Sequence, residues 1–187
     1  MSNTKTNSLI HPFVHLMYLR MSIHSALGRG NVYSTTATAE DKVAFKITCA
    51  EKLTQLGNRY FAWEYDLDRY IDEITTLCDS LSSLYGPILA QGRFRIGTAQ
   101  KMISLYLKYL WLGGESAKKP LCAVLDRGVL ALSGYPNPPL FTELDDPQIY
   151  RNIQIHIAKK CKSSQHGSPA VWEVDAWNNS DLEEEDL

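Results

Sequence analysis

Between Gly97 and the pair Gly113, Gly114 the chain reads TAQKMISLYLKYLWL, with Lys101 and Lys108 as its only charges. Met102, Ile103, Leu105, Tyr106, Leu107, Tyr109, Leu110 and Trp111 would cover nearly every face of a helix at this position. A helix that is apolar all round has no solvent side and must be enclosed by other elements. A bilayer is no alternative, since the run from Ile103 to Leu112 is broken by Lys108 and falls far short of the ~20 residues needed to span one. The stretch therefore predicts an all-α fold, a single-domain bundle of about seven helices packed around a central apolar helix over 98–112.

The rest of the chain supplies what would enclose it. At 187 residues and 44% apolar content there is material for one buried core, expected over 1–180. Leu9, Phe13, Leu16, Met17, Ile23 and Leu27 recur at helical spacing from Ser8 to Leu27. Thr38, followed three residues later by Asp41, forms a capping-box-like start for a second helix that runs to about Leu56, before Gly57. Asp66 is placed to cap a third, whose stripe of Tyr70, Ile71, Ile74, Leu77, Cys78, Leu81 and Leu84 ends at 86-GP-87. After the central helix comes an apolar piece, 121-LCAVLDRGVLALSG-134. Asp145 or Asp146 with Pro147 marks another start, with Ile149, Ile153, Ile157 and Cys161 as the inner stripe. Ser168 and Pro169 begin a last helix carrying Trp172 and Trp177. The tail 181–187, DLEEEDL, reads as disordered and acidic.

Cysteine and histidine placement argues against metals. Cys49, Cys78, Cys122 and Cys161 are far apart, each within an apolar pattern, and form no CxxC or Cys/His pair. They predict reduced, buried thiols and a cytoplasmic protein, and no secretion leader is expected because His11, His15 and Arg20 punctuate the N-terminal segment. His11, His15 and His24 have no carboxylates close by, so neither a metal nor another cofactor is expected. Nothing in the sequence sets an oligomeric state. The net charge of −2 conceals a basic middle: from Ile88 to Pro120 stand Arg93, Arg95, Lys101, Lys108, Lys118 and Lys119 against Glu115 alone. Such a run is compatible with an anionic partner such as DNA.

Two charged residues stand in apolar company where chemistry would need them. Lys101 lies at the first turn of the central helix, and Asp126 follows 25 residues later, beyond a link flexible enough to fold back. An amine near apolar surface loses ammonium stability and becomes usable as a nucleophile, while a carboxylate beside it orients the amine and stabilises developing positive charge on a sugar. Gly97 and Thr98 open the helix, where free amides and the helix dipole favour a phosphate. The same features also describe a structural ion pair at a helix end.

The order of glycine turn, Lys101, long apolar helix 101-KMISLYLKY-109, polar link and 125-LDRGV-129 resembles the helix-hairpin-helix superfamily of DNA glycosylases over roughly 90–134. It is most similar to the archaeal 8-oxoguanine glycosylases, which are helical and lack an iron–sulfur cluster. The resemblance implies a glycosylase with lyase activity, acting on a damaged or modified base in double-stranded DNA, in repair or in defence. Lys101 would attack C1′ of a flipped nucleotide and Asp126 would assist. Gly97 and Thr98 would hold a backbone phosphate with Arg93 and Arg95. An aromatic among Trp63, Tyr106, Trp111, Trp172 and Trp177 would receive the base. The alternative is a non-enzymatic helical interaction protein, an inhibitor or defence-related adaptor, in which Lys101 and Asp126 fix helix geometry.

Overall fold

A computed structural model of the chain describes residues 4–28, 31–60, 62, 64, 66–162 and 167–179, with side chains from residue 12 onward. The acidic tail and Trp63 lie outside the described residues. The fold is all-α: α1 Thr4–Leu27, α2 Ala39–Tyr60, α3 Leu67–Tyr85, α4 Ile96–Leu112, α5 Arg127–Ser133, α6 Pro147–Lys162 and α7 Pro169–Asn178. Among the described residues no strand forms, and the one β-bridge joins Tyr33 to Leu89. No described helix is long and apolar enough to cross a membrane.

Helix starts follow local chemistry. Thr38 and Asp41 close a reciprocal capping box, the Thr38 amide donating to Asp41 Oδ2 at 3.0 Å and the Asp41 amide to Thr38 Oγ1 at 3.1 Å. Asp66 accepts from the Asp68 and Arg69 amides, Asp146 from those of Gln148 and Ile149, and Ser168 from that of Val171. α2 runs on through Gly57 to Tyr60 because Gly57 is where Tyr106 packs: a Cβ there would stand 2.9 Å from the Tyr106 ring. In α1 the buried apolar side chains among those described are Leu19, Ile23, Ala26 and Leu27, whereas Phe13 and Leu16 are exposed and Leu9 lies outside the described side chains. In α6 Tyr150 joins Ile153, Ile157 and Cys161 inside, and Ile149 points outward.

α4 packs against α1, α2, α3 and α6, and every residue from Ile96 to Ser104 is buried. It starts two residues before the expected Thr98. Arg95 stands at its N-cap without a side-chain cap, and the loop before α6 does the capping. Asp145 Oδ1 accepts from the Ile96 amide at 3.1 Å, and the Leu144 carbonyl from the Gly97 amide at 2.7 Å. The apolar piece read from 121 to 134 divides in two. Residues 121–126 are not helical, and α5 begins only after Asp126.

Candidate functional site

A buried backbone segment with no helix or sheet around it must find other partners for its polar groups. The segment 121-LCAVL-125 finds them in side chains. Gln154 Oε1 accepts from the Ala123 amide at 3.2 Å, and its Nε2 donates to the Ala123 carbonyl at 2.8 Å. Gln100 repeats the arrangement on Leu125, accepting from its amide at 3.1 Å and donating to its carbonyl at 2.6 Å, while also donating to the Gly97 carbonyl at 2.9 Å. Glu173 accepts from the Val124 amide at 2.9 Å, and Tyr60 Oη from the Leu121 amide at 2.7 Å. Two buried carboxamides thus act as short surrogate strands.

This clamp sets the position of the charged pair. Gln100 immediately precedes Lys101, and Leu125 immediately precedes Asp126, so the Gln100 to Leu125 bonds tie the two residues into one neighbourhood. Lys101 Nζ stands 3.6 Å from Asp126 Oδ2, outside hydrogen-bond length but within ion-pair range. It also lies over the Phe141 ring, 4.7 Å from the centroid, where the face of the ring attracts a cation. The Lys101 side chain is 8% exposed and that of Asp126 16%. The other Asp126 oxygen accepts from the Val129 amide at 3.0 Å, which makes Asp126 the N-cap of α5.

A second lysine–carboxylate pair lies further along α4. Lys108 Nζ donates to Glu173 Oε1 in a buried contact, with Glu173 1% exposed. Burial raises the Glu173 carboxyl above its usual range, outweighing the opposing pull of Lys108 and of the Val124 amide, and the negative charge of Asp126 adds a small upward push.

Three of the six basic residues in the middle of the sequence meet carboxylates in the fold. Arg93 pairs with Asp79 at 2.5 Å and with Asp145 at 3.1 Å, and its guanidinium is held more firmly protonated chiefly by the Asp79 bond. Lys101 and Lys108 face Asp126 and Glu173. Among the described residues Arg95 has neutral acceptors alone, the Thr142 carbonyl at 2.9 Å and Gln91 Oε1 at 2.6 Å. Thr98 is buried one turn before Lys101. Gly97 serves close packing: a Cβ there would land on the Phe141 carbonyl, and its amide is taken by Leu144. Arg93, Arg95 and Thr98 together line an open cavity of about 730 Å³ that Gly97 does not reach.

The candidate aromatics have other engagements. Tyr106 is buried against Gly57 and His15, Trp172 lies under Lys160, Trp111 is half-buried and Trp177 is 45% exposed. The four cysteines are buried and none is in a disulfide, burial pushing Cys49 and Cys122 up to about 12. No group of three or more potential metal ligands occurs among the described residues. Gln100, Phe141, Gln154 and Glu173 are the members of the site that the sequence pattern passes over. The available signal was a lone polar residue in an apolar run, as Glu173 is in VWEV; Gln100, between Ala99 and Lys101, carries no such mark.

The class defined so far is an all-α protein with a clamped, mostly buried lysine–aspartate pair at two helix starts. Compared with models of known families, with curated proteins and with solved structures, the chain gives no match.

Proposed function

We propose that the Lys101–Asp126 pair removes a damaged or modified base from double-stranded DNA, as a glycosylase with lyase activity. The observation that supports this reading is the 3.6 Å separation of Lys101 Nζ from Asp126 Oδ2, with the aspartate capping α5 and the lysine in the opening turns of the long helix α4. In the reaction, Nζ loses a proton and forms a bond to C1′ of an extruded nucleotide. The glycosidic C1′–N bond breaks, its electron pair leaving with the base, which takes up a proton. Opening of the sugar ring then gives an imine, from which β-elimination breaks the strand. Asp126 stabilises the cationic sugar and orients the amine. The Phe141 ring covers Nζ, so substrate entry displaces that side chain. Of the two arginines before α4, Arg93 is paired with Asp79 and Asp145, whereas Arg95 keeps no carboxylate partner among the described residues and is assigned a phosphate contact. Four separated, buried thiols fit a reducing cytoplasmic compartment.

The second reading, a non-enzymatic interaction protein, is favoured by a specific observation: Lys101 is 6% exposed as a residue and Asp126 already caps a helix. Borohydride trapping on duplexes carrying a panel of altered bases separates the two. The glycosylase reading expects a covalent adduct with the wild-type chain, none with Lys101→Gln and a strongly reduced yield with Asp126→Asn. Absence of both adduct and abasic product on every duplex, with the wild-type chain folded, leaves the structural pair.

A further inference from the structure

The cavity beside the start of α4 holds polar side chains that no other described residue engages. Its walls come from Gly28, Asn31 and Val32, the turn before α4, the first turn of α4 and the loop before α6. Asn31, Thr98, Thr142 and Glu143 line it, and none of their side chains has a hydrogen bond to another described residue. Arg95 projects into the same space. Its Nη1 and Nη2 are held by the Thr142 carbonyl and by Gln91, while Nε has no acceptor among the described residues. Gln91, which fixes Arg95, adopts a left-handed backbone at φ 57° and ψ 20°, a conformation that L side chains rarely take and that persists only where its surroundings demand it. Arg93, by contrast, is neutralised by Asp79 and Asp145.

We propose that this cavity binds a sugar phosphate, with the phosphate on Arg95 and the Thr98 and Thr142 hydroxyls, and a sugar hydroxyl donated to Glu143. Three considerations select this class. A guanidinium flanked by hydroxyl and carboxamide donors matches the several acceptor oxygens of a phosphate. At about 730 Å³ the space far exceeds an isolated anion and lies within the usual range for small-molecule sites. A carboxylate at the rim repels a second anion and accepts from a hydroxyl, which calls for an ester and not a bare oxyanion. The phosphate can belong to a free nucleotide or to the end of a nucleic-acid strand. The site shares Arg95 and Thr98 with the DNA contact proposed above, but it does not depend on the chemistry of Lys101.

The test is calorimetric titration of the full chain with a nucleoside 5′-monophosphate, the unphosphorylated nucleoside, inorganic phosphate and a short 5′-phosphorylated single strand. Saturable binding of the monophosphate is expected, about tenfold or more tighter than the nucleoside, with inorganic phosphate also weaker. Arg95→Gln should weaken it about tenfold or more, and Arg95→Lys, which keeps the charge but loses the fork, by less. Glu143→Gln should weaken the monophosphate but not inorganic phosphate. Binding of the phosphorylated strand without the free nucleotide assigns the phosphate to a strand end. No saturable binding by either phosphate ester, or equal affinity for wild type and a folded Arg95→Gln, overturns the proposal. None of these titrations requires a base to be removed, so failure of base removal and failure of this site are read separately.

Discussion

Replacing Gln100 by leucine keeps the side chain close in size and removes the carboxamide that holds Leu125. Gln100 is fully buried, as is Leu125. The substitution strips the Leu125 amide of its 3.1 Å acceptor and the Leu125 carbonyl of its 2.6 Å donor, in a place no water reaches. Leaving a buried backbone group unsatisfied costs about 1–3 kcal/mol, so two such groups cost about 2–6 kcal/mol. Burial of the added apolar surface offsets part of this, and a net loss of about 2–4 kcal/mol is expected. Against a total of about 5–15 kcal/mol for a domain, that is a large fraction. Urea denaturation followed by circular dichroism measures it, with the slope m reporting whether the unfolded reference has changed. A second readout follows from the placement of Asp126 next to Leu125. The coupling energy between Lys101 and Asp126, from a double-mutant cycle, should shrink in the Gln100→Leu background. A stability loss below about 1 kcal/mol at constant m, together with unchanged coupling, would refute the clamp.

Gly97→Ala should destabilise, although alanine is the better helix former by about 1 kcal/mol, because the new Cβ meets the Phe141 backbone carbonyl, which cannot rotate aside. A loss of about 1–3 kcal/mol by thermal or urea unfolding is expected, and a more stable variant would show that the loop before α6 does not pack there. Glu173 tests the balance between burial and ion pairing. Its carboxyl is raised in the folded chain, so its contribution to stability is fully present below the ordinary value near 4.5 and is lost as pH rises through the folded value. Glu173→Gln removes that titration, and the variant should gain on the wild type as pH rises through this window. If the wild type gains instead, the pull of Lys108 outweighs burial. Borohydride trapping with Lys101→Gln and phosphate-ester titration with Arg95→Gln test the two proposed sites in the same way.

Much of the fold follows from contacts within four residues, and these are legible in the sequence itself. Thr38 with Asp41, Asp66 with the next turn, and Ser168 before Pro169 meet their partners whatever the rest of the chain does. The apolar content of 98–112 demands enclosure for the same local reason, and the fold encloses the helix fully from Ile96 to Ser104 while Leu112 at its end stays 54% exposed. The lysine and aspartate are also visible as charges in apolar runs. Residues 121–125 are legible only as apolar, because their backbone groups are satisfied by Gln100, Gln154 and Glu173, distant in sequence and on three different helices. The basic run from Arg93 to Lys108 reads as an anion surface because its counter-charges, Asp79, Asp145, Asp126 and Glu173, arrive from α3, from the loop and N-cap before α6 and α5, and from α7. Sequence alone determined where α2, α3, α6 and α7 start and which helix must be enclosed, because caps and hydrophobic periodicity act over a single turn, whereas α4 takes its cap from the distant loop before α6. Only the tertiary structure decided which charges cancel, which polar groups face an open cavity and which residue lies 3.6 Å from Lys101, because those depend on elements brought together across the whole chain.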